Sequence, residues 1–86
     1  MDLYNISDNL SVPKDILCGA TLFKITGQYE AYIENFKKII RFNQDEIVIR
    51  GNKCVIMIKG TNIKIAYFSN GGMKIKGRFK SIEFSQ

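Results

Sequence analysis

Histidine and tryptophan are absent from this chain, proline occurs once, at Pro13, and cysteine twice, at Cys18 and Cys54. Without histidine, no side chain titrates near neutrality as an ordinary general base. Two cysteines alone fall short of the four sulfur or nitrogen ligands of a usual zinc site. Cys18 has no neighbouring base or cation in the sequence to activate it as a nucleophile. Asp45 and Glu46 are adjacent, so in a strand they point to opposite faces and cannot pair as acid and base. Nor does a glycine-rich phosphate loop join a strand to a helix. These absences argue against an enzyme, and no catalytic, cofactor-binding or metal residue is assigned.

Long apolar runs are missing too. Val55-Ile56-Met57-Ile58 is far short of the roughly 20 residues that span a bilayer. The start, Met1-Asp2-Leu3-Tyr4-Asn5, has no basic segment leading into an apolar one, so no signal peptide is visible. The expectation is a cytoplasmic protein that reaches a membrane, if at all, through a partner. A reducing compartment disfavours a disulfide. Cys18 and Cys54 are therefore expected as separate small buried hydrophobes.

What the chain does contain is 86 residues, 45% hydrophobic and 24% charged, the composition of one ordinary folded domain. Charge is uneven. Through Glu46, Lys14, Lys24, Lys37, Lys38 and Arg41 stand against Asp2, Asp8, Asp15, Glu30, Glu34, Asp45 and Glu46, a net of 5 − 7 = −2. From Ile47 on, Arg50, Lys53, Lys59, Lys64, Lys74, Lys76, Arg78 and Lys80 face Glu83 alone, 8 − 1 = +7, and the two sum to the chain's +5. Such asymmetry raises the question of an anionic partner.

Residues 1–15 are polar, with Ser7, Asp8, Asn9, Ser11 and Asp15, and read as a loose N-terminal arm with at most a helical turn after Pro13. Residues 16–86 form the domain. From Phe23 onward apolar residues alternate with polar ones, and turn residues punctuate them: Gly27, Asn35, Asn43-Gln44-Asp45, Gly51-Asn52, Gly60 and Ser69-Asn70-Gly71-Gly72. The pattern predicts an all-β domain of seven to eight short strands in a meander rolled into a small barrel, roll or sandwich, with a short β-solenoid as the alternative. Its expected core is Ile33, Ile47, Ile49, Ile56, Ile58, Ile65, Ile75, Ile82 and Phe84. A helix over 29–42 competes locally, because Tyr32, Phe36, Ile39 and Ile40 have near-helical spacing. Asn35 and the paired isoleucines disfavour it.

Ile33-Glu34-Asn35 followed by Ile39 and Phe42, then Ile58-Lys59-Gly60 with Ile63 and Ile65, then Ile75-Lys76-Gly77-Arg78-Phe79-Lys80-Ser81-Ile82-Glu83-Phe84, resemble in order and spacing the conserved elements of the YabP/YqfC sporulation protein family. Gly27 stands where that family keeps a glycine ahead of the first element. The chain departs at Gly19-Ala20-Thr21, where members carry Asp-x-Pro, and at Lys38, where a glycine is usual, so it resembles a divergent member. The resemblance implies a non-enzymatic protein of endospore formation acting in the mother cell. It also implies a protein partner of the integral membrane YabQ or YqfD type. It carries no catalytic residues.

Lys74, Lys76, Arg78 and Lys80 share one parity and would line one face of a strand as a candidate partner-binding stripe. Because Ile82 and Phe84 have the same parity, a bulge or bend between Gly77 and Ser81 must reset the pattern. The plainer reading is a solvated face whose lysines discourage edge-to-edge aggregation. Ile33, Glu34, Asn35, Gly60 and Gly77 are the family-motif positions, and a structural role in turns is the simpler account of Glu34 and Asn35. Aromatics between basic strands can stack bases, but the signature segments of RNA-binding sheets are missing. Nucleic acid is therefore not the expected partner, and a small nucleic-acid-binding β-barrel stands as the alternative. A self-assembling β module, and with it a homo-oligomer, is the third reading.

Overall fold

Turn chemistry cuts the described part of the chain into eight strands. A computed structural model describes residues 3–5, 14–69 and 71–85. The strands are β1 (Leu3–Asn5), β2 (Lys14–Cys18), β3 (Thr21–Thr26), β4 (Glu30–Glu34), β5 (Lys38–Phe42), β6 (Glu46–Arg50), β7 (Val55–Ser69) and β8 (Gly72–Ser85). Glycines take the left-handed conformation that the tight connections require: φ is 62° at Gly19, 63° at Gly27 and 74° at Gly71. The β5–β6 turn is closed instead by Asn43, whose Oδ1 accepts the amides of Asp45 and Glu46 at 2.8 and 3.0 Å.

All pairings are antiparallel, and the sheet order is β2-β3-β4-β8-β7-β6-β5, with β1 added on β8. The all-β reading holds, and antiparallel pairing throughout leaves no place for the parallel stacking of a solenoid. The order breaks the meander where β4 pairs with β8 rather than β5, and again where β1 pairs with β8 rather than β2. The helix weighed over 29–42 is instead β4, a short connection and β5. The helical turn considered after Pro13 is instead β2, paired along its length with β3. Most of the proposed arm, residues 6–13, lies outside the described residues.

Two of the strands are long rather than short. β7 has 15 residues and β8 has 14, and each crosses the fold. The first part of β8 pairs with β4 and with the end of β7; its last part pairs with the beginning of β7 and with β1. Between the halves the hairpin bends. Lys59 pairs with Ser81 but Gly60 with Phe79, so Lys80 is an extra residue in β8, and the pattern reset expected between Gly77 and Ser81 falls there. Thr61 pairs with Arg78 and Lys64 with Lys76, so the extra length on β7 lies at Asn62-Ile63, where Asn62 has φ 53°.

This bend folds the sheet onto itself. Phe23, Ile25, Ala31 and Ile33 of β3 and β4 pack in one cluster with Ile47, Ile49, Ile56 and Ile58 of β6 and β7. Phe23 meets Phe84 edge to face at 5.6 Å between ring centroids. Of the expected core, Ile33, Ile47, Ile49, Ile56, Ile58, Ile75 and Ile82 are fully buried. Ile65 and Phe84 sit at its margin. Met73 and Phe79 join the core because they share the parity of Ile75 along β8. Ile63 joins it, and Ile82 stays in it, because the bulges at Asn62-Ile63 and at Lys80 switch the side to which alternate residues point.

Candidate functional site

Strand β8 carries the predicted basic stripe, and the bend divides it. Lys74 and Lys76 lie on the outer face of the first half, opposite Tyr32 and Glu30 of β4. Lys76 also faces Lys64 across β7. Arg78 stands opposite Thr61 at the bend, and Lys80 is the bulge residue. All four project away from the core, but they are not equivalent. Glu30 binds Lys74 Nζ at 3.0 Å and lies 3.9 Å from Lys76 Nζ. The Lys74 ammonium, by hydrogen bond and by charge, holds the Glu30 carboxyl below its ordinary range, and Lys76 adds a smaller pull in the same direction. Arg78 and Lys80 are exposed, and no ion pair holds either among the described residues.

Cross-strand pairing adds residues that parity along one strand could not reveal. Lys24, Tyr32, Lys74 and Tyr67 form a row across β3, β4, β8 and β7, alternating cation and aromatic ring. Tyr32 leans over Gly72, where a β-carbon would strike its hydroxyl, and its Oη lies 3.3 Å from Ser69 Oγ. The signal for this row was present in the residue types, but joining it needs the register of three strand pairs.

Of the motif positions, Ile33 and Glu34 end β4, while Asn35, Gly60 and Gly77 sit at turns and bends. Ile33 is fully buried. Glu34 is exposed, with Leu22 and Gly72 as its cross-strand neighbours. Asn35 adopts φ 62°. Its amide donates to Gly71 O at 2.7 Å and its Nδ2 to Ala20 O at 3.0 Å, while its carbonyl accepts Thr21 Oγ1 at 2.8 Å. Thr21, fully buried, also accepts the Asn52 amide at 2.7 Å. Gly60 and Gly77 are where the two arms of the bent hairpin touch. A side chain at Gly60 would collide with the Arg78 carbonyl, and one at Gly77 would come within 2.9 Å of Ile63 Cα.

The cysteines correct an expectation. Rather than separate hydrophobes, Cys18 and Cys54 form a disulfide, with Sγ–Sγ 2.01 Å and Cα–Cα 6.0 Å. Both are buried, as expected. Their pairing follows from the corner that Thr21 builds: its bond to Asn52 brings the β2–β3 turn against the β6–β7 turn, so two distant thiols share one pocket.

The adjacent acids Asp45 and Glu46 are tied into the fold as well, one through its main-chain carbonyl and the other through its carboxylate. Glu46 pairs with Arg41 Nε at 2.8 Å, and the Asp45 carbonyl accepts the Gly60 amide at 2.9 Å. What the arrangement offers chemically is positive charge and aromatic surface on a rigid sheet. No helix among the described residues is long and apolar enough to cross a membrane.

The result is a small all-β domain with its cations turned outward. The chain belongs to the YabP family, whose family model matches residues 20–86, and is therefore a sporulation-related protein. No curated protein and no solved structure matches it significantly.

Proposed function

We propose that this chain is a non-enzymatic subunit of an assembly in endospore formation. In this reading it is a soluble scaffold in the mother cell, bound to an integral membrane partner of the YabQ or YqfD type. The observation that carries it is the run of outward cations on β8, where Arg78 and Lys80 stand exposed with no carboxylate paired to them among the described residues. Unneutralised charge on a rigid strand attracts an acidic surface, and salt screens that attraction over about 8 Å at physiological strength.

Lys74 is a poor probe of this face, because it already serves Glu30. The informative variant is the triple reversal Lys76→Glu, Arg78→Glu and Lys80→Glu. These are exposed residues whose replacement should leave the fold intact. Co-expression with the candidate membrane partner and pull-down at two salt concentrations tests the reading. Loss of capture by the variant, and weaker capture of the parent at high salt, is expected. Undiminished capture would leave the lysines with a solubility role alone.

One observation favours a second reading. The row Lys24, Tyr32, Lys74 and Tyr67 alternates cations with rings on an outer sheet face, an arrangement suited to stacking the bases of a single strand. Gel shifts with generic RNA and DNA separate the two readings, since phosphate binding must weaken steeply with salt.

A further inference from the structure

Two apolar residues face the core and yet lie open. Phe68 pairs with Met73, and Phe42 with Ile47. Directly opposed residues of an antiparallel pair share a face, and Met73 and Ile47 are both fully buried. Phe68 is nevertheless 63% exposed and Phe42 44%. Each sits at a sheet edge where, among the described residues, no further strand lies beside it to complete the layer.

The edge at Phe68 is the more receptive. β6 pairs with β7 as far as Lys59, and the β5–β6 turn reaches only to Ile63, whose amide donates to Gln44 O at 2.9 Å. From Lys64 to Ser69, β7 pairs with β8 on one side alone among the described residues, and an extra residue at Ala66 brings Ile65 and Phe68 to the same face. Its last residues, Ala66-Tyr67-Phe68-Ser69, carry no charge. Of the other strands open on one side among the described residues, β5 is guarded by Lys38 and Arg41 and β2 by Lys14 and Asp15, charges of the kind that discourage added strands.

We infer that the β7 edge between Lys64 and Ser69 is completed by an extended, acidic segment of the partner, added as an antiparallel or parallel strand. This rests on the protein-docking reading above and names its site. Such a strand would turn alternate apolar side chains inward beside Ile65 and Phe68 and the others outward beside Lys64 and Tyr67. The outward positions meet the cations of Lys64, Lys74 and Lys76 against the single carboxylate of Glu30, so they favour glutamate or aspartate. A second copy of this chain fits less well, because pairing two such edges would bring these lysines together in chains of net charge +5.

The test uses the full chain and a fluorescein-labelled synthetic peptide of about eight residues alternating glutamate and valine, followed by anisotropy. Three comparisons accompany it: the same peptide N-methylated at alternate amides, a lysine-for-glutamate version, and the protein variants Phe68→Ser and Ile40→Ser. Binding is expected for the parent peptide, at least tenfold weaker after N-methylation, after charge inversion and with Phe68→Ser, and unchanged with Ile40→Ser. The N-methyl comparison needs no protein variant and stands even if Phe68→Ser misfolds. Equal affinity of the N-methylated peptide, absence of binding, or a dimer in sedimentation that Phe68→Ser abolishes would each overturn the inference. Should the peptide fail while the triple charge reversal still abolishes membrane-partner capture, the edge is wrong and the docking reading survives.

Discussion

Gly60 lies so close to Arg78 that a β-carbon on the one would overlap the carbonyl oxygen of the other. This contact is the hinge of the fold, because the two arms of the long hairpin bend around it. Gly60→Ala should cost at least the roughly 1–3 kcal/mol of a strained overpacking, since backbone cannot move aside as a side-chain tip can. Gly77→Ala should behave similarly, with Ile63 Cα at 2.9 Å. Gly71→Ala, at φ 74° with open space around it, should lose only the roughly 1–2 kcal/mol of a left-handed backbone. Urea denaturation of the three variants orders them, and Gly71→Ala as the costliest would contradict the hinge.

Ile58 and Ile75 are fully buried on the two sides of the folded sheet. Truncation of either to alanine should cost about 2–5 kcal/mol, a large share of so small a domain's stability. Equilibrium unfolding measures it, and a loss within error of zero would mean the interior is packed otherwise.

The Cys18–Cys54 bridge closes a loop with a sequence separation of 36. By the chain-entropy account such a closure stabilises by about 3–4 kcal/mol. Adding a thiol reductant should lower the denaturation midpoint of the parent protein and leave a Cys18→Ser, Cys54→Ser variant unmoved. Identical midpoints of the parent with and without reductant would show that the bridge does not form in solution.

Lys74 depresses the pKa of Glu30. A carboxyl held low in the folded state contributes stability that is complete above its unfolded pKa and is lost as pH falls through the folded one. The contribution is small because the pair is exposed to solvent, but the titration itself is measurable. Carbon-detected NMR should place the Glu30 midpoint below the ordinary glutamate value, and Lys74→Met should raise it. A midpoint that ignores the substitution would remove Lys74 as the cause.

Much of the sheet was legible because alternation is local. The turn at Gly71-Gly72 and the burial of Ile47, Ile49, Ile56 and Ile58 follow from the order of side chains along single strands. The site was legible only in part. The shared parity of Lys74, Lys76, Arg78 and Lys80 predicted an outward stripe, but that Glu30 neutralises its first member, while no ion pair holds Arg78 or Lys80 among the described residues, depends on which strand lies alongside. The disulfide was misread for the same reason. Compartment was the guide available for Cys18 and Cys54, and their proximity arises at a corner held by Thr21 and Asn52.

Sequence alone determined the class of the fold, since isoleucine-rich alternation broken by glycine and asparagine can bury its apolar side only in sheets. It also determined the motif elements by which the chain is placed in its family, and the sign of the charge on its second half. Tertiary structure decided where that charge stands and what it is free to meet. Strand pairing between β4 and β8, the bulge at Lys80 and the open edge of β7 are contacts between residues remote in the chain. Their energies depend on register and closure, and neither is written in any stretch short enough to read by its own pattern.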